Sequence, residues 1–229
     1  MMGRAIAELV PYGLGLATSP IAVIAVILML LSKQGRANST SFLTGWIVGV
    51  IGASVVIPAC SRALQNGPKG ASPNTSSIAD VVLGAFLLLL ATDSFRKRPK
   101  PGQQAVLPKW LQTIDSLTPG KSGLLGMLSP LGGGLNPTNL LLITGAMLAL
   151  SQNHLAVGDD AVAILVLTLI GVSTIAAPVV VYWAAGKKAQ PFLDKVKGWL
   201  SQNNAVVTAA LLLVIGGALI GEGISGLSA

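Results

Sequence analysis

Charge is scarce in this chain. Only 10% of its 229 residues are Asp, Glu, Lys or Arg, against about 25% in an average soluble domain. Cysteine and histidine are rarer still, with Cys60 and His154 the single examples. One cysteine excludes an intrachain disulfide and a paired-thiol redox site. Cys60 therefore reads as a small packing residue. So few sulfur and imidazole ligands give no expectation of a metal. A covalent catalyst needs a nucleophile beside a base, and Cys60 and His154 fall on different loops or helix ends. No catalytic residue is assigned, and the chain is not read as an enzyme. The glycines at 132–134 lack the lysine and the preceding strand of a nucleotide loop, so no cofactor is expected. No basic face with interleaved aromatics appears, which argues against nucleic acid.

What the chain has is apolar length. It is 52% hydrophobic, with several runs near the 20 residues that cross a bilayer. The reading is an all-α integral membrane protein, a single membrane domain over 1–229. Six transmembrane helices are expected at about 9–31, 41–60, 77–95, 122–150, 159–184 and 203–223. Arg4 before an apolar stretch resembles a signal peptide, but that run is too long and no small-residue cleavage site ends it.

The formal charge is +7. Lys33, Arg36, Arg96, Lys97, Arg98, Lys100, Lys109, Lys121, Lys187, Lys188, Lys195 and Lys197 sit in the loops after runs one, three and five. The positive-inside rule places loops 32–40, 96–121 and 185–202 in the cytoplasm, with both termini outside. Two of these loops carry amphipathic stretches. Leu107, Trp110, Leu111, Ile114 and Leu117 recur at helical spacing, as do Phe192, Leu193, Val196, Trp199 and Leu200. Both read as short interfacial helices, with Trp110 and Trp199 at headgroup level and Asp115 between. They either anchor the following helix or hold an anionic lipid headgroup.

The halves repeat. Leu14, Gly15 and Pro20 match Leu131, Gly132 and Pro137 at an offset of about 117, and Ser19 stands against Asn136. IVGV at 47–50 resembles LIGV at 169–172, each followed by a proline, Pro58 and Pro178. Three helices per repeat invert the second copy in the membrane. Repeat one covers about 5–98, a cytoplasmic linker with an amphipathic helix about 99–121, and repeat two about 122–225. Pro20 and Pro137 fall roughly 17 and 21 Å into their helices at 1.5 Å per residue, near the middle of a core about 30 Å thick. Each should free a carbonyl four residues earlier, Leu16 and Gly133. Thr18, Ser19, Pro20, Asn136, Pro137, Thr138 and Asn139 are therefore the candidate substrate site, where broken helices meet. Gly45-x-x-x-Gly49 and Gly217-x-x-x-Gly221 suit close packing. Acids within the runs are few. Asp80 is the best candidate for a buried acid, and Asp93 can reach Arg96 three residues on. None stands at the midplane, which weakens a proton-driven mechanism. Glu8 reads as solvated.

SPIAVIAVILMLLSKQGRANSTSFLTGWIVG at 19–49 and LPKWLQTIDSLTPGKSGLLGMLSPLGGGLNPTNLLL at 107–142 resemble the glycolipid-addressing (GAP) proteins of mycobacteria and other actinobacteria, a family grouped with LysE-type exporters. The resemblance carries Ser19, Pro20, Asn136, Pro137 and Asn139, with Trp110, Asp115 and Pro119 in the cytoplasmic stretch. Thr138 stands where the family often has lysine. It implies six helices and help in moving envelope glycolipids across the plasma membrane. Membrane lipids, a glycolipid substrate among them, are then the partners. The protein either acts alone, with homo-oligomers open to it, or assists a large lipid exporter. Two alternatives stand beside this reading. A LysE-like exporter of amino acids or other small solutes needs a closed polar cavity with a fixed charge. A membrane enzyme on lipid-linked groups needs a nucleophile and base.

Overall fold

The computed structural model describes residues 2–65, 73–99, 103, 109–132, 137–153 and 157–228. They form eight α-helices and two short 3-10 segments. α1 (Met2–Ala17) and α2 (Pro20–Leu31) meet at a bend of 49°. Pro20 causes the break. It has no N–H for the preceding turn, but its fixed φ suits the first position of a new helix. α2 is apolar on every side, PIAVIAVILMLL, and nine of its 12 residues are buried. A helix with no polar face belongs in the centre of a bundle, and α2 lies there against α3 (Gly35–Gln65), α7 (Val157–Ala185) and α8 (Gln190–Leu227).

The second half opens in the same way. α5 (Pro119–Leu128) is capped by Thr118, whose side chain accepts the Lys121 N–H, and α6 (Pro137–Gln152) again starts on a proline. The halves cross-pack: α1 lies on α7, and α5 lies on α3. α4 (Pro73–Arg96) pairs with α8. These contacts bring backbones together. A Cβ on Gly84 would lie 2.7 Å from the Gly216 carbonyl oxygen, and one on Gly216 2.8 Å from that of Gly84. On α3, a Cβ at Gly45 or Gly49 would collide with the backbone of α5. The first glycine pair thus packs as expected. Gly217 and Gly221 meet nothing within 4 Å. Gly216, one residue away, takes the packing role because α8 turns that face to α4.

The expectation of six crossings is met in part. Among the described residues, Gly35–Ala59 and the stretch Gly158–Leu227 over α7 and α8 are long and apolar enough, and the bent pair α1–α2 makes a third. Thr138–Ser151 is apolar but shorter. The breaks at Pro20 and Pro137 divide runs one and four into shorter helices. Helices also start earlier than their apolar runs. α1 gains a first turn braced by Arg4 Nε donating to Glu8 at 2.9 Å. Glu8 also accepts from Asn153 Nδ2 at 2.6 Å, so it ties α1 to the end of α6 rather than being simply solvated.

Both amphipathic stretches differ from the expectation of separate interfacial helices. Lys109–Ser116 is a 3-10 segment that turns Leu111 and Ile114 into the protein core. Asn38 Nδ2 pins its end by donating to the Leu117 carbonyl at 3.0 Å. The side chains of Trp110 and Asp115 lie outside the described set. Residues 192–200 are the start of the 38-residue α8, not an isolated helix. α7 stops before them at Gly186, whose φ of 57° is a left-handed conformation that suits glycine at a helix end.

Candidate functional site

The α1–α2 break is chemically quiet. Pro20 deprives the Leu16 carbonyl of its helical donor, yet Ser19 N–H donates to it at 3.3 Å. The following carbonyl, that of Ala17, accepts the Thr174 hydroxyl from α7. Thr18 N–H returns to the Leu14 carbonyl at 3.0 Å, and the Thr18 hydroxyl donates to that same oxygen. The expectation of a bare Leu16 carbonyl is therefore corrected. An unsatisfied carbonyl in an apolar interior costs several kcal/mol, and neighbouring donors remove that cost. Gly133 and Asn136, the corresponding expectations in the second half, lie outside the described residues.

The two breaks do come together. Asn139, in the first turn of α6, donates from Nδ2 to Ser19 Oγ at 3.4 Å across 120 residues of sequence. Both side chains are buried, at 2% and 3% exposure. Ser19 is the N-cap of α2 but makes no side-chain cap bond, so its hydroxyl serves this contact instead. Thr18, Ser19, Thr138 and Asn139 share a chamber with Thr208 of α8. Its volume is about 10 Å³, room for about one water molecule. Sequence reasoning missed Thr208, a lone hydroxyl in the apolar run AVVTAALLLV. Pro137 opens α6, though its side chain is outside the described set.

The other candidates scatter. Asp93 pairs with Lys97 at 2.5 Å on the exposed side of α4. The partner is Lys97, four residues on, rather than Arg96, three on. Asp80 lies in α4, with its side chain outside the described set. Among the described residues no cluster of acids, histidines or cysteines could hold a metal.

Beside the break lies a larger cavity of about 420 Å³, within the about 300–1,000 Å³ of ordinary ligand sites. Thr18 and Pro20 form one wall, Thr174 and Pro178 of α7 another, and Leu193 and Trp199 of α8 a third. The rest of its lining is alanine, valine, leucine and phenylalanine. Among the described residues no charged side chain lines it. Phe192 and Trp199 stand on its rim at 56% and 59% exposure. Such a lining suits hydrocarbon better than an ion. The signal for Thr174 was present in the sequence: it stands four residues before Pro178, as Ser54 stands before Pro58.

Neither curated proteins nor solved structures gave a match. The model of one family does match, that of Sap, the sulfolipid-1-addressing protein, over residues 9–225. That range takes in both helix breaks and all three walls of the apolar cavity, and the chain belongs to the sulfolipid-1-addressing family.

Proposed function

We propose that this protein moves envelope glycolipids across the plasma membrane, and that the 420 Å³ cavity holds a hydrocarbon chain of the lipid in transit. The observation that carries the reading is the lining: apolar side chains, two threonine hydroxyls and no charge among the described residues, at a helix broken inside the bundle. Family membership supports a role in lipid addressing. A chain drawn from the bilayer passes the exposed rim of Phe192 and Trp199 and lies against the bend at Pro20. Ser19 and Asn139 hold the two broken helices together beneath it. No covalent step is required, and no cofactor.

We read the helices as six crossings in two inverted repeats, with both termini outside. The matched openings at Pro20 and Pro137 and the cross-packing of α1 on α7 and α5 on α3 support this. Half-helices meeting inside a bundle are the common site architecture of inverted-repeat transporters. The small-solute alternative gains no support, because the polar chamber of about 10 Å³ is too small for an amino acid.

The test is deletion of the gene, with surface and total lipids compared after complementation. Wild type restores the surface glycolipid. Ala177→Phe, which places a ring in the cavity, leaves surface lipid reduced at least tenfold with the intracellular pool intact. Equal rescue by both, at equal protein level, contradicts the reading.

A further inference from the structure

A second cavity lies further toward the start of α7, between α3, α6 and α7. It measures about 240 Å³ and is lined by Ser54, Pro58, Met147, Ser151, Asp160 and Ile164 among others. Its chemistry differs from that of the first. Asp160 supplies a carboxylate, and Ser54 and Ser151 supply hydroxyls. The Ser54 side chain is buried at 1% exposure, and its oxygen has no hydrogen-bond partner. A buried hydroxyl without a partner is a standing cost, and such groups in native proteins call for an explanation. Its counterpart Thr174, placed identically before Pro178, does have a partner, the Ala17 carbonyl. Position in a proline-bearing helix therefore does not explain the orphan.

We propose that this cavity binds a neutral, hydroxyl-rich group, a sugar ring, with Asp160 accepting two of its hydroxyls and Ser54 donating to a third oxygen. A carboxylate accepts from paired hydroxyl donors, and Ser54 both donates and accepts. The apolar remainder, Pro58, Met147 and Ile164, suits the C–H face of a pyranose. Among the described residues no lysine, arginine or histidine lines the cavity. A sulfate or phosphate brought against Asp160 would meet like charge. The acidic or esterified part of a lipid is thus turned away here, and a neutral sugar is admitted. This inference rests on the lipid reading above and deepens it, since it assigns the polar portion a place of its own. Along α7, Ile164 and Thr174 are separated by roughly 15 Å at 1.5 Å per residue. One lipid can span that distance with its chain in the first cavity and its sugar in the second.

The experiment uses the full chain in lipid nanodiscs and saturation-transfer NMR with three small probes, methyl β-glucoside, methyl sulfate and methylammonium. Methyl β-glucoside receives saturation from the wild type. The signal falls at least threefold in Ser54→Ala and in Asp160→Ala. Methyl sulfate and methylammonium receive none. Ser54→Ala also raises the thermal midpoint of the probe-free protein, because it removes a polar atom that nothing in the chain satisfies. A purely structural serine would lower it. Three results overturn the inference: no glucoside signal, a signal in either variant equal to that of the wild type, or a sulfate or ammonium signal matching that of the glucoside. Ala177→Phe separates the two readings. It blocks the hydrocarbon cavity and leaves the glucoside signal unchanged, so either cavity can fail while the other stands.

Discussion

Thr174 acts on a residue 157 positions away, and that contact closes the α1–α2 break. Replacing it with valine keeps the shape and removes the donor, leaving the Ala17 carbonyl unsatisfied. The expected loss is about 1–3 kcal/mol, read as a lower unfolding midpoint in detergent, with Thr174→Ser close to wild type. A midpoint unchanged in Thr174→Val would show that water or another donor reaches the carbonyl. Asn139 is the other decisive residue, because it bridges the breaks through Ser19. Asn139→Leu should abolish surface lipid while the protein remains in the membrane, as judged by surface lipid extraction and membrane immunoblot. Ser19, Thr138 and Asn139 could be found from the sequence because polar residues beside a proline in an apolar run need partners. Thr208 could not be placed, since one hydroxyl in an apolar helix carries no sign of what it faces, and Thr174 was marked only by its spacing from Pro178.

At the scale of elements, proline was the most readable signal. It lacks an N–H wherever it stands, and Pro20 and Pro137 open α2 and α6, although Pro11, Pro58 and Pro178 stay inside α1, α3 and α7. Amphipathic spacing was readable in pattern and misleading in consequence. Leu111 and Ile114 keep the expected period, but the surface they cover is the protein core. Periodicity tells that one face is apolar and is silent about the partner. Glycine spacing has the same limit. Gly45 and Gly49 approach α5, whereas Gly217 and Gly221 approach nothing. Gly45→Ala should therefore cost about 1–3 kcal/mol or more through overpacking against backbone that cannot rotate away. Gly217→Ala should be neutral or slightly stabilising, because alanine favours a helix interior by about 1 kcal/mol over glycine. Comparative unfolding midpoints of the two variants check this, and equal destabilisation would contradict the packing described.

For the whole molecule, low charge and long apolar runs made the membrane class legible, and basic loops gave an orientation. That orientation makes a direct prediction. In a Cys60→Ser background, Gly158→Cys reacts with an impermeant maleimide added outside intact cells, and Lys187→Cys reacts only after lysis. The reverse pattern would invert the protein, and labelling of both from outside would remove the odd number of crossings between them. The cavities were not legible, because a space is made by residues from helices distant in sequence. Pro20, Pro178 and Trp199 line one cavity only after folding. The claim on which the functional account depends is that this space takes a lipid chain. Native mass spectrometry of the protein released gently from its own membrane measures it directly. The account predicts one lipid retained by the wild type under conditions that strip the surface lipids, and none by Ala177→Phe. The same lipid retained by both, or no lipid on the wild type, would contradict it.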